Sequence, residues 1–506
     1  MGLFSPSWFP SRGAIAFGGR VRDWADRPQD SRVLAGFRVA VASVMLLDLA
    51  DRLRDAFTFY TDLGTVSRAD VLWVTGRLRP GALFQLTGSP AGVVALLSFG
   101  FVVAIALLVG HRTRLANLLC WIFMLSIQDR NLAITDGGDT VLRMWLFWGL
   151  WCDLGAGHSV DARRGVRSPG RGLGLRFVRA QLAIIYLMSA LSKTGLSWRH
   201  GTAIYYALAS TGFTRPSGIW LLSRPTLTAA LTFLTLAIEA TLPALILSPV
   251  RRGACRAAAL ALGISLHLGI ATAMRVGIFP FVMLAGFTTL VQPAWLDRWT
   301  PALVPVTPPE PEARRPSRLG RGAVAVGRIA LFIAPLLVLI AIVTEQAARL
   351  AHRPSPRLVS RTLNLVEAHQ NWSMFAPEPS HTLGRFEAPG LLTDGRTVDL
   401  ADSAAPGLRP HFGWGYSRWE KLGLTLRDPG NPYLVPFGRF LCRRYNGDTS
   451  GPRLASFKLV LLLSPTPEPG AKAEAPSAPQ RITYLEQSCG AGPDLTASRG
   501  TADSSR

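Results

Sequence analysis

Apolar residues in this chain fall into long runs broken by short polar stretches. The runs are roughly 17 to 25 residues long, the length a helix needs to cross a bilayer. They predict nine helices, at 33–50, 90–110, 114–132, 138–154, 173–193, 226–247, 254–274, 277–293 and 323–346. Basic residues crowd every second connection: Arg112 and Arg114; Arg163, Arg164, Arg167 and Arg171; Arg251, Arg252 and Arg256; and Arg314, Arg315, Arg318 and Arg321. The alternate loops are poorer in positive charge, except the first, which carries Arg52, Arg54, Arg68, Arg77 and Arg79. Positive loops stay in the cytoplasm. The expected order is a cytoplasmic segment at 1–32, a transmembrane domain at 33–346 and an extracytoplasmic region at 356–506.

The last region changes period. "RLASFKLVLLL" and "RITYLEQ" read as strands, joined by the linker "SPTPEPGAKAEAPSAPQ", whose composition predicts disorder. The stretches "NWSMFAP", "FGWGYSRWEKL" and "YLVPFGRFLCRRY" supply aromatics for a small core. The expected fold is an all-α polytopic membrane domain of about nine transmembrane helices, followed by a small, mainly β extracytoplasmic domain with a disordered C-terminal tail. In an oxidising compartment Cys442 and Cys489 are placed to pair or to stay free.

Composition agrees with a membrane protein. Of 506 residues 49% are hydrophobic and only 17% charged, where a soluble protein carries about a quarter charged. The net charge of +22 would suggest nucleic acid in a soluble chain. Here the charge lies in loops, where topology explains it, and no nucleic-acid motif accompanies it. The N-terminus lacks the apolar core of a cleaved signal peptide.

Candidate chemistry follows from charges inside the spans, which are costly and mark function or buried pairing. They are Asp48, Asp129, Arg130, Asp139, Arg143, Lys193, Glu239 and His267. The topology brings Lys193, Asp129, Arg130, Asp139 and Arg143 to one leaflet, with His267 about two thirds of the way across and Glu239 deeper. Two bland readings compete with function. Asp129–Arg130 and Asp139–Arg143 are expected as ion pairs that satisfy one another, the second at helical i,i+4 spacing, and Lys193 suits an interfacial anchor. Against the anchor, Ser189 and Tyr186 share the lysine's helix face, a polar stripe that lipid does not require. "DGGD" at 136–139 reads as a helix start, with Asp139 opening span four. No motif for a metal, a phosphate loop or a serine nucleophile is present.

Three stretches together resemble the HTTM family, the horizontally transferred transmembrane domain shared with vitamin K-dependent gamma-carboxylase. They are "GHRTRLANLLCWIFMLSIQDRNLAITDGGDTVLRMWLFW", "LAIIYLMSALSKTGLSWRHGTAIYYAL" and "HLGIATAMRVGIFPFVMLAG", within about residues 30 to 300, and "QNWSMFAPEP" resembles a segment of bacterial members. The resemblance implies a reduced, vitamin K-like quinone as cofactor and no metal, with Lys193 and His267 as catalytic residues. Asp139, Arg143, Arg130, Tyr186 and Trp198 are expected to bind substrate. Where the carboxylase has an Asn-His pair, this chain has Gly138-Asp139. The implied partners are membrane lipid and an extracytoplasmic protein or lipid substrate, without nucleic acid, in the inner cell membrane. A quinone-dependent enzyme is the leading expectation. A non-enzymatic binding or assembly protein comes next, and a transporter last because no inverted repeat is visible.

Overall fold

The computed structural model describes residues 28–76, 79, 81–166, 170–209, 212–299, 318–405, 418–448, 451–471 and 478–490, with only the backbone described for 318–332. The segment before residue 28, the tail after 490 and the centre of the 464–480 linker lie outside the described residues. Nine principal helices occupy the nine expected places: α1 Ser31–Arg54, α2 Pro90–Val109, α3 Thr113–Arg130, α4 Gly137–Gly149, α5 Leu173–Ser192, α6 Pro225–Leu247, α7 Arg252–Ala273, α8 Phe279–Phe287 and α9 Arg318–Leu350. Local chemistry sets their ends. Asp30 caps α1 by accepting the Arg32 N–H, and Ser89 does the same for α2 from Gly92, with Pro90 in the first turn. Asp136, not Asp139, caps α4. Asp139 is its reciprocal partner three residues on, because its carboxylate reaches back to the Asp136 N–H.

Six of these helices are long and apolar enough to cross a membrane: α1, α2, α5, α6, α7 and the Ile333–Leu350 part of α9. The other three differ for physical reasons. Apolar α8 extends only to Leu290 through a short 3-10 turn. Although α3 has 18 residues, Gln128, Asp129 and Arg130 make its last turn polar. At 13 residues α4 measures about 20 Å. It packs against α1, α3, α5 and α8, with Trp145 and Trp148 fully buried. By contrast α6 and α7 present Phe233, Leu234, Ile264 and Leu268 outward, the pattern of helices bathed in hydrocarbon.

The C-terminal region is mixed rather than mainly β. Strand β4 (Leu454–Pro465) is central: it pairs antiparallel with β1 (Thr382–Glu387) and β2 (Pro389–Leu392) along one edge and β5 (Gln480–Ser488) along the other, while β3 (Thr397–Asp399) extends β2. Both predicted strands are therefore present. Of the helices in this region, α12 (Leu434–Asp448) packs on the sheet, α10 (Arg357–Val366) packs on α9, and α11 (Arg418–Thr425) packs on the turn Leu132–Ile134. The aromatic stretch at 433–445 is helical because the large apolar side chains it buries, Leu434, Phe437, Phe440 and Leu441, recur at a spacing of three and four. Cys442 on α12 is joined to Cys489 by a disulfide.

A ring of four buried charges fastens this region to the helices. Arg52 Nε donates to Asp48 Oδ2 (2.7 Å), and its Nη2 bonds Asp139. From α11, Arg418 Nη2 donates to Asp48 Oδ1 (2.6 Å) and Nη1 to Asp139 Oδ2 (3.0 Å). All four side chains are at most 4% exposed. The expected Asp139–Arg143 pair is thus absent. Asp139 is taken by two other arginines, and Arg143 Nη1 donates instead to Gln128 Oε1 (2.7 Å). Nor do Asp129 and Arg130 pair, because neighbours on a helix point apart. Asp129 bonds Arg79, and Arg130 donates to the carbonyls of Val66 and Thr61.

Removing one member of such a ring strands an opposite charge, which costs about 3–5 kcal/mol. Arg418→Gln is therefore expected to lower the thermal unfolding midpoint of the purified chain strongly. Adding Asp139→Asn should recover part of the loss. An additive double mutant would show that the ring is not a coupled unit.

Candidate functional site

Helix α5 stops inside the bundle. Lys193 is its C-cap, with its N–H bonded to Ala190 O, and the chain then turns into the short helix Leu196–Arg199. Beside α6 the lysine stands part-way along the helix rather than at its end. It meets α6 at Glu239, the fifteenth of that helix's 23 residues, about 20 Å from its start. The segment from 194 to 222, folded into short helices, covers what α5 leaves open.

Residues 375–378 clamp this turn from above. The Gly195 N–H donates to Pro377 O (2.9 Å), the Ser197 N–H to Glu378 Oε2 (3.0 Å) and Trp198 Nε1 to Phe375 O (2.9 Å). A Cβ at position 195 would stand 2.6 Å from Glu378 Cβ, so the contact requires glycine. Ser197 Oγ lies 2.7 Å from His381 Nε2, and the His381 ring stacks on Tyr206 at 3.8 Å. The Ser197 N–H holds the Glu378 carboxyl below its usual range.

Below the clamp, Lys193 Nζ donates to Glu239 Oε2 (2.5 Å) and Ser189 Oγ (2.6 Å), while Ser189 Oγ donates to Glu239 Oε1 (3.2 Å). The ammonium stands 5.0 Å from the centre of the Trp198 ring, within cation–π range. Lys193, Glu239 and Trp198 form one wall of a cavity of about 670 Å³. Leu266, Phe279 and Met374 are typical of the rest of its lining. Four charged residues face it: Lys193, Glu239, Lys421 from α11 and Asp136 from the cap of α4.

The sequence-predicted residues divide. Lys193 and Trp198 line the cavity. Tyr186 and His267 do not, but they are bonded to each other, hydroxyl to Nε2 at 2.6 Å, and His267 packs edge-on against Phe279 of the cavity wall at 5.6 Å. Among the described residues His267 Nδ1 has no hydrogen-bond partner. Arg130, Asp139 and Arg143 lie outside the cavity, in the polar networks described above. Sequence reasoning gave no role to Glu239, Lys421 or Glu378. A lone carboxylate within a 23-residue apolar helix was the visible signal for Glu239. Nothing local marks the other two. Among the described residues no cluster of three metal-binding side chains occurs.

Residues 148–295 match the family model of the HTTM domain. That stretch runs from the end of α4 through α8 and includes Lys193, Glu239 and His267. No curated protein and no solved structure matches the chain. With the apolar helices, the match makes this a membrane protein of several spans.

A carboxylate with a lowered pKa contributes stability above its unfolded value, about 4.3, and loses it as pH falls through the folded value. Acidification into that range should therefore loosen the clamp, speeding hydrogen exchange at the Ser197 amide relative to its intrinsic rate. Glu378→Gln should expose the same amide at neutral pH. Equal protection in the variant would remove Glu378 from the clamp.

Proposed function

Starting from a chain that carries an HTTM domain, we propose that the cavity beside Lys193 is a membrane-embedded active site for a reduced quinone. The reading rests on one observation: a buried amine–carboxylate pair on the wall of an otherwise largely apolar cavity. Its volume lies in the usual range for small-molecule sites, about 300–1,000 Å³. Such a site accepts a flat ring and an apolar tail. A bound reduced quinone supplies a phenolic O–H and an oxidisable ring.

The chain's residues then handle the proton. With one proton shared between Lys193 Nζ and Glu239 Oε2, the pair is neutral in either arrangement. Accepting a phenolic proton leaves an ammonium beside a carboxylic acid, a cation facing the negative charge it has created. Lys193 acts as the base, Glu239 supplies the charge balance, and Ser189 and Trp198 hold the amine. The Tyr186–His267 pair fixes the Phe279 wall. Asp139 is bound by two arginines where the carboxylase has its Asn-His pair, so the proposal stops at deprotonation of the quinol and its oxidation by dioxygen, which takes up the electrons, and does not extend to carboxylation of glutamate.

We further propose nine spans in the inner cell membrane, a cytoplasmic N-terminus and an extracytoplasmic C-terminal region. The arginine distribution supports that direction, as does the Cys442–Cys489 disulfide, which suits an oxidising compartment. An extracytoplasmic protein or lipid is the second substrate in this reading. The route for the first runs between α6 and α7, where Leu234, Ser265, Gly269 and Thr272 line the cavity and are themselves exposed. A Cβ at position 269 would meet nothing within 4 Å. A non-enzymatic binding or assembly role is the second reading, favoured by the fact that Glu239 already satisfies Lys193.

Two experiments separate these readings. Arginine keeps the charge but cannot accept a proton near neutral pH. Lys193→Arg should therefore lower quinol-dependent oxygen use by about 10²–10⁴-fold, with the purified protein still monodisperse. Full activity in that variant would end the base assignment. Gly269→Trp should slow a naphthoquinol carrying a long isoprenoid tail while sparing the tail-less ring. Equal slowing of both would place the entrance elsewhere.

A further inference from the structure

At the end of the bundle away from the cavity, two helices bring basic side chains together. Arg179 lies six residues into α5, about 9 Å along the helix. It is half-buried, and its Nε donates to Thr289 O (2.9 Å) just after α8. The turn Thr288–Leu290 packs on both α5 and α7, which brings Arg179, and Arg176 one turn earlier, within electrostatic reach of Arg256 of α7, as Arg252 is of Arg256. Arg252 and Arg256 occupy the first turn and a half of α7, a 22-residue helix. Cations there oppose the positive end of the helix dipole. Among the described residues Arg179, Arg252 and Arg256 have no carboxylate partner.

Topology alone does not explain this. Loop arginines satisfy the positive-inside rule while solvated, but Arg179 and Arg256 are drawn in between helices. Four like charges and a helix N-terminus converge where an anion would offset all of them. Guanidinium groups also match phosphate oxygens in geometry. We propose that Arg179, Arg252 and Arg256 bind a phosphate group, that of an anionic phospholipid seated between the starts of α5 and α7. Basic pockets between membrane helices take such headgroups. The site is separate from the Lys193 cavity and does not depend on its function.

The test uses the full chain in a neutral detergent, with thermal unfolding followed as lipid is added. Phosphatidylglycerol should raise the midpoint and phosphatidylcholine should not. Arg256→Gln and Arg252→Gln should each weaken the apparent affinity for phosphatidylglycerol about fivefold. Arg252 is exposed, so its variant tests the site even if Arg256→Gln folds poorly. Equal shifts with the two lipids, or an unchanged response in the Arg252 variant, would overturn the proposal. Inorganic phosphate matching the phosphatidylglycerol response would overturn the lipid assignment and make the site one for a free anion.

Discussion

Arg418 completes a charge balance that the membrane helices cannot complete alone. Asp48 and Asp139 bring two carboxylates into the interior, and Arg52 answers one of them. Arg418 from α11 answers the other, and the ring sums to zero. A buried pair is weak evidence of net stability but strong evidence of fixed geometry, because any displacement exposes an uncompensated charge. Other contacts follow from this fixing of α11. Two residues on, Glu420 meets Arg275 beyond the end of α7 at 2.7 Å, and Lys421 and Leu424 face the cavity. One eight-residue helix thus joins the region that covers the site to the helices that form it.

The same rule shapes the site. An amine in an apolar wall must be paired, and Glu239 does this for Lys193. The pairing requires α5 to end part-way along α6, since a full-length α5 would carry the lysine past the carboxylate. Where α5 gives way to irregular backbone among buried side chains, the N–H groups that follow must find acceptors. The 375–378 clamp supplies them for Gly195 and Ser197. Hence the cavity, the buried amine and the extended segment over it are parts of one solution.

The sequence shows some of this plainly and hides the rest for definite reasons. Hydropathy locates the nine helices within a few residues, because long apolar runs dominate any local signal. It fails on pairing. Asp139 and Arg143 stand at a favourable local spacing, yet partners 87 and 279 residues away along the chain win. Counting residues from a loop placed Glu239 deeper than Lys193, yet the fold brings the two side chains together because α5 ends part-way along α6. Calling the last region mainly β missed α12, whose aromatic run reads as strand or helix until the positions facing inward are known. Lys193 was visible as a charge within a span, sharing a polar stripe with Ser189 and Tyr186, whereas nothing local marks Glu378 and Lys421 until the fold brings one to the Ser197 turn and the other to the cavity.

The distance of Arg418 from its partners along the chain carries a consequence for biogenesis. Asp48 is inserted early, and its second arginine follows 370 residues later. Until then the nascent protein holds two buried aspartates against one arginine, with the Lys193 cavity lacking its cover. At a translation rate of about 5–20 residues per second, that interval lasts tens of seconds. During it the half-made bundle is marked by an unanswered negative charge, which a membrane chaperone or protease can read as a sign of incompleteness. Capture of the C-terminal region then closes the cavity and cancels the charge in one event, so an open site and an unfinished chain are the same state.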